Sequence, residues 1–303
     1  MHNLTDWAAQ SCRFGGLCNP KDQGEARRAA KQFDQVRDAF IDRMRGPVKD
    51  VLDEVISEVQ SAARSARTRS ELRTLVEAAA EGGRPLYRDE VEGIFQDVST
   101  SFYRRTHDAL DGTERSHAWY LKQPQGQGRQ PSEGQPAQGP TPGAGVAAAA
   151  AAFFAANLGV LVAGAHLTTR RAILNILEDV IQEAREEGLR LDEAVDLFLD
   201  RLGVSNLNSQ TRAGLIARTL VIRASNWASL RAARDHPQDW LKNWVSVRDN
   251  RVRPAHLDTD FSDPIPLGEQ FNVGGFPARF PADPRLPPGQ SINCRCVLFY
   301  ISE

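Results

Sequence analysis

Across residues 33–59 the side chains Phe33, Val36, Phe40, Met44, Val48, Leu52, Val55, Ile56 and Val59 recur almost entirely at steps of three and four. At 3.6 residues per turn that spacing places them on one stripe of a long amphipathic helix. A stripe of this length has to be covered. The chain's own core is the commoner cover, and a partner subunit is the other. Gly46-Pro47 falls inside the stripe. Proline lacks the amide donor and crowds the preceding turn, so a kink or a break into two helices is expected there. A second helix is expected over 70–81, ended by Gly82-Gly83. A third is expected over 87–110, with Val91, Ile94, Phe95, Val98 and Phe102 on one face and Asp111-Gly112 as its stop.

The material changes after that. Residues 123–145 consist of Gln, Gly, Pro and Ser with almost no large apolar side chains, the composition of a flexible linker. Residues 145–167 then form an Ala-rich run, and no acidic or basic residue falls between Glu133 and Arg170. The run is long enough to span a bilayer, but alanine and glycine make it only marginally hydrophobic. A buried or inter-subunit helix suits that composition better. Conditional membrane insertion, with Arg170-Arg171 flanking, is the alternative.

Further helices are expected over 168–188, with Thr168 or Thr169 as N-cap, over 192–202, between an Asp192 cap and a Gly203 stop, and over 209–235. Beyond Pro237 the pattern becomes strand-like. Residues 239–247 are rich in aromatic and β-branched side chains, with Trp240, Trp244 and Val247 as core candidates. Asp249-Asn250 signals a turn, proline and glycine punctuate 254–288, and 297–301 is a short apolar strand. The expected fold is therefore mainly α with a small C-terminal α+β module, long helices first and short strands and irregular loops last. Four regions follow: 1–122 helical, 123–145 linker, 146–208 Ala-rich and helical, and 209–303 the C-terminal module.

Charged residues make up 25% of the 303 and apolar ones 41%, which argues against wholesale disorder. The net charge of -2 gives no global basic field, so any nucleic-acid contact has to come from a local patch. The first residues lack the basic start and apolar run of a secretory signal. Four cysteines, Cys12, Cys18, Cys294 and Cys296, do not make a disulfide framework in a chain this long. A reducing cytoplasm, with thiols free or metal-bound, is the expectation.

Chemistry concentrates at the C-terminal end. His256, Cys294, Cys296 and Asp249 bring imidazole, thiolate and carboxylate together, a zinc-type ligand set. On an extended segment Cys294 and Cys296 share a face, because side chains alternate with period two. The structural reading of the same residues is commoner. There His256 pins a loop, Asp249 caps its turn and pairs with Arg251 or Arg253, and the cysteines are small buried groups. A Cys–His nucleophile pair is a third option, needing a lowered thiol pKa and an oxyanion site. Arg248, Arg251, Arg253, Arg279, Arg285 and Arg295 crowd the module, either as a salt-bridged surface or as a phosphate-contacting patch.

Several runs in fixed order carry a resemblance. They are Leu215-Ile-Ala-Arg-Thr-Leu220 in a helix continuing to Asn226, Trp244 with Val247, Asp249-x-Arg-x-Arg253 and then His256. Phe271-x-Val-Gly-Gly275, Phe280-Pro-x-Asp-Pro284 and Ile292-Asn-Cys-Arg-Cys296 complete the set. This ordered set, over roughly the last third of the chain, resembles the head-morphogenesis domain of phage Mu F-like minor head proteins. The family often has Asp-Gly after the histidine, where this chain has Asp260-Phe261.

The resemblance implies a non-enzymatic bacteriophage virion protein, made in the host cytoplasm and carried inside the capsid. Its implied partners are the portal protein and the capsid interior, with non-specific contact to packaged DNA and help in DNA packaging or delivery. It brings no catalytic residue and no cofactor; zinc comes only from the ligand set above. Two alternatives stand beside it: a metal- or thiol-dependent enzyme or toxin-type module, and an ejected protein whose Ala-rich helix enters the host membrane.

Overall fold

A computed structural model describes residues 20–111, 145–260 and 262–302. The linker expected over 123–145 lies outside them except for Gly145. The chain is mainly α with a small C-terminal α+β module. Among the described residues six long or medium helices come first: α1 Pro20–Ser65, α2 Arg69–Gly82, α3 Arg84–Asp111, α4 Val146–Glu186, α5 Leu191–Val204 and α6 Gln210–Asp235. The module adds β1 Trp240–Val245, the short helix α7 Pro254–Asp260, β2 Ile265–Pro266, β3 Phe271–Val273 and β4 Phe276–Ala278. The one-turn helix α8 Pro288–Ser291 and the strand β5 Val297–Ser302 complete it.

The stripe in the first helix is the core seam. Ile41, Met44, Val48, Leu52, Val55, Ile56 and Val59 are all buried, against α2, α3 and above all α6. Of the kink or break expected at Gly46-Pro47, the break does not occur, and α1 runs through the proline as one helix. Met44, Val48 and Val51 are buried on either side of the proline. At about 1.5–3 kcal/mol for each large apolar side chain, their burial outweighs one missing hydrogen bond. The α2–α3 junction needs its glycine for a different reason. A Cβ at Gly83 would stand 2.4 Å from a Val55 methyl, so the chain turns there by touching α1 with bare backbone.

The Ala-rich run does not end before Thr168 either. Helix α4 continues to Glu186, and the hydroxyls of Thr168 and Thr169 do not cap a new helix. They donate back to the Gly164 and Ala165 carbonyls at 2.6 and 2.8 Å, and both receive Arg212 Nη2. Val146, Ala150 and Phe154 at its start, and Ala165, Thr169, Ile173, Leu177 and Val180 further on, are buried. Among the described residues no helix is long and apolar enough to cross a membrane. Helix α5 starts one residue earlier than expected. Arg190 is its N-cap, with its backbone N–H donating to Glu193, while Asp192 lies inside the first turn and Gly203 inside the last.

Helix α6 is the axis of the molecule. It is capped by Ser209, whose hydroxyl accepts from Arg212 N–H, and is buried on nearly every side between α1 and α3. An aromatic cluster fixes its contact with the Ala-rich helix and the module. Trp227 stands 5.1 Å from Phe153 and 5.8 Å from Phe95, and Phe153 reaches Phe280 at 6.2 Å. Offset aromatic contacts of this kind add about 0.5–1.5 kcal/mol each beyond area burial. The module's three strands lie in the order β2-β1-β5, all antiparallel, with Trp244 opposite Leu298 and Val245 opposite Val297. Strands β3 and β4 form a separate hairpin. Its two-residue turn, Gly274-Gly275, has φ of 60° and 88°, the mirror-image turn that glycine adopts without strain.

Candidate functional site: a buried Cys–His cluster

Three of the four residues singled out as ligands meet. His256 sits in α7, with its ring edge-on to Trp244 of β1 at 5.4 Å. Cys294 and Cys296 lie in the extended segment leading into β5, and period-two alternation turns both sulfurs the same way. His256 Nδ1 is 3.4 Å from Cys296 Sγ and 3.6 Å from Cys294 Sγ. Exposure is 1% for the histidine and 2% for each cysteine, so no substrate carbonyl reaches either sulfur. That burial removes the support for a Cys–His nucleophile, although the pair is in contact. The segment is set by Asn293, whose φ of 56° reverses the chain just ahead of the cysteines. Its N–H donates to Thr219 Oγ1 of α6 at 3.1 Å.

The two thiols differ. A hydrogen bond from Cys296, then those of His256 and the Cys296 backbone N–H, hold Cys294 well below the ordinary thiol value against the opposing effect of burial. Burial, and then the neighbouring Cys294, push Cys296 well above it.

Asp249, the fourth expected ligand, is elsewhere. Its carboxylate accepts from the backbone N–H and guanidinium of Arg251 and from the guanidinium of Arg295. Those hydrogen bonds, Arg295's first, lower its pKa against a smaller desolvation effect. It caps the turn that begins at its own position, as the structural reading has it. The pairing with Arg253 does not form. Arg253 instead donates to the Ile292 carbonyl at 2.7 Å, and so holds the start of the Cys segment. Asp258 is exposed. Asp260 is buried and accepts from Ser246 Oγ and Arg248 Nε, both at 2.7 Å.

The arginine crowd resolves into ion pairs. Arg248 pairs with Asp260, Arg251 and Arg295 with Asp249, and Arg279 and Arg285 with Asp283. Asp283, the acid of the Phe280-Pro-x-Asp-Pro284 run, is fully buried. Burial alone would raise its pKa, but hydrogen bonds from the Arg279 and Arg285 side chains and from the Arg279 backbone N–H outweigh it and lower the value. Lys242 of β1 is buried beside this cluster and donates to the Glu269 and Arg279 carbonyls. Desolvation, with Arg234 next, brings its pKa down to about 7. A cleft of about 440 Å³ opens between α1, α6 and the module, with Arg45, Arg218, Arg251, Asn293 and Arg295 among its walls.

Sequence reasoning missed the polar groups that hold the module to the helices. Asn226 Nδ2 donates to the carbonyls of Ile222, Pro281 and Cys296, and its Oδ1 accepts from Leu298 N–H. Arg223, buried and with its pKa lowered to about 10 mainly by desolvation, donates to the Ala282 carbonyl and to Ser291 Oγ. Arg37 of α1, also buried, donates to Ser225 Oγ at 2.7 Å and to the Cys296 carbonyl at 3.1 Å. The readable signal was Arg223, Ser225 and Asn226 set among Val221, Ile222, Ala224, Trp227 and Ala228. Nothing in the sequence pointed to Arg37.

The architecture defines a class: a small α+β module with a buried Cys–His cluster, clamped by polar side chains onto a central helix. Residues 175–299, which contain α6 and nearly all of the module, match the family described as phage Mu protein F like protein, and this part of the chain is similar to that family. Over 127 residues the chain is 30% identical to the uncharacterized protein YqbB of Bacillus subtilis (strain 168). That match covers 41% of this chain and 40% of the relative, so the chain spans well under half of the relative's length. No solved structure matches.

Proposed function

We propose that the chain is a non-enzymatic minor head protein of a tailed bacteriophage, associated with the portal inside the procapsid and capsid and assisting DNA packaging or delivery. The carrying observation is the Mu F-like match over 175–299, which runs from the second half of α4 through α5 and α6 and contains nearly all of the Cys–His module. The physical features support an adaptor. The sulfurs are sealed from solvent, and the module's charges are used in internal pairs. The two longest helices, of 46 and 41 residues, offer extended outer faces for docking. With Arg248, Arg279 and Arg285 paired, contact with packaged DNA in this reading is weak, non-specific and salt-dependent.

The test is to assemble phage heads with and without the portal gene and to probe purified heads for this chain. The expected result is a few copies per head when the portal is present and none when it is absent. Heads and virions lacking the protein in both cases would refute the reading. Protease protection before and after genome release then separates a resident protein, retained in the emptied head, from an ejected one.

A further inference from the structure

His256 Nδ1, Cys294 Sγ and Cys296 Sγ outline one face of a coordination tetrahedron. With Zn–S of about 2.3 Å and Zn–N of about 2.0–2.1 Å, a sulfur and a nitrogen on tetrahedral zinc stand about 3.5 Å apart. The two distances in this site are 3.4 and 3.6 Å, and the three ligand atoms lie within 4.8 Å of one another. One imidazole nitrogen carries a single proton or a single lone pair, so a hydrogen bond satisfies one sulfur and leaves the other only in contact. A cation at the centre of the face satisfies both. Two thiolates and one dication also sum to zero charge, which lowers the cost of placing the group where all three residues are buried.

We propose that His256, through Nδ1, and Cys294 and Cys296, through their sulfurs, bind one Zn²⁺. The soft thiolate pair selects zinc over magnesium or calcium. Among the described residues the ligand set is these three. Asp249 is outside the set, because Arg251 and Arg295 hold its carboxylate. The ion joins α7 to the entry of β5 across some 40 residues of short and irregular elements. It acts as a structural tie, with binding free energy that becomes folding free energy.

The experiment uses the purified full-length chain, kept reduced. Its metal content is measured, the metal is removed with a chelator, and the chain is reloaded with Zn²⁺ alone or Co²⁺ alone. The expected result is one metal per chain, a melting temperature that falls on stripping and returns with zinc, and a thiolate-to-cobalt charge-transfer band. Cys294→Ser/Cys296→Ser loses all three signals, whereas Asp249→Asn and Cys12→Ser/Cys18→Ser keep them. If the Cys294/Cys296 variant does not fold, the reversible zinc response and the cobalt band of the wild type decide the matter alone. A folded, reduced wild type that takes up neither zinc nor cobalt overturns the proposal. So does a metal lost with Cys12 and Cys18.

Discussion

Asn226 makes the most exacting demand in the molecule. One amide commits both donors and its acceptor to four partners, three of them backbone groups of the module. Asn226→Ala leaves the Leu298 N–H and the Pro281 carbonyl buried without that partner. At about 0.5–1.5 kcal/mol for each of the four hydrogen bonds lost, a loss of at least ~2 kcal/mol is expected in denaturant unfolding. A change under ~0.5 kcal/mol would show that the clamp is decorative. Asp283 carries a different prediction. Its folded pKa lies below the ordinary 3.8, so its stabilising effect is complete above the unfolded value and is lost as pH falls through the folded one. Asp283→Asn should cost about 3 kcal/mol near neutrality, the low end for breaking a buried pair, because Arg279 and Arg285 keep partial access to water. The variant should also lose less stability than the wild type below pH ~4, which thermal melts across the acid range would read. A parallel acid profile in both proteins would contradict the assignment. At this scale the sequence spoke unevenly. Cys294, Cys296 and His256 announced themselves by type and spacing and do meet. Asp249 looked equivalent on paper but has two guanidiniums in reach, and charge pairing claimed it.

For whole elements, the apolar periodicity located the helices and misjudged where two of them stop. Pro47 and Thr168 are both residues that end isolated helices. Here each sits where a helix is held on both sides by buried side chains, and Thr168 and Thr169 turn their hydroxyls back onto the helix itself. Local propensity lost to packing that no window of sequence contains. A prediction follows for α1. Gly46 is helical and exposed, and a Cβ added there would meet nothing within 4 Å. Gly46→Ala should therefore raise stability by about 0.5–1 kcal/mol, by lowering the freedom of the unfolded chain. Equilibrium unfolding would show it, and destabilisation would mean that the Gly46-Pro47 step needs a backbone geometry that only glycine supplies. The two longer strands were placed well, 239–247 and 297–301 against Trp240–Val245 and Val297–Ser302, whereas β2, β3 and β4 have only two or three residues each, too few to show a period, and went unplaced.

At the scale of the whole molecule, the helices on either side of residues 112–144 pack against one another. The sequence suggests a module beginning at residue 209, yet α6 is buried between α1 and α3 and carries the polar groups that hold the module. A fragment of residues 209–303 should therefore expose most of α6, and is expected to show no cooperative melt, while the full chain melts as one transition. A fragment with a sharp transition and native-like near-ultraviolet dichroism would prove the module autonomous. The contacts that decide this were illegible in the sequence for a simple reason. They join residues far apart in number, and a buried arginine in a long helix looks the same on paper as an exposed one.

The bond from Arg37 to the Cys296 carbonyl spans 259 positions, and that separation governs when the molecule can be finished. The ribosome delivers Arg37 long before the carbonyl it needs, and at ordinary elongation rates the wait is some tens of seconds. Helices α1, α2 and α3 can collapse together within that interval, since their contacts are comparatively local. The groove meant for α6 and β5 then stays open, with a guanidinium waiting in it. Closing it is the slow, non-local step of folding, and it completes the sulfur site in the same event. The cluster thus cannot form until synthesis has passed it: a chain interrupted before Cys296 lacks both the second thiol and the carbonyl that Arg37 holds.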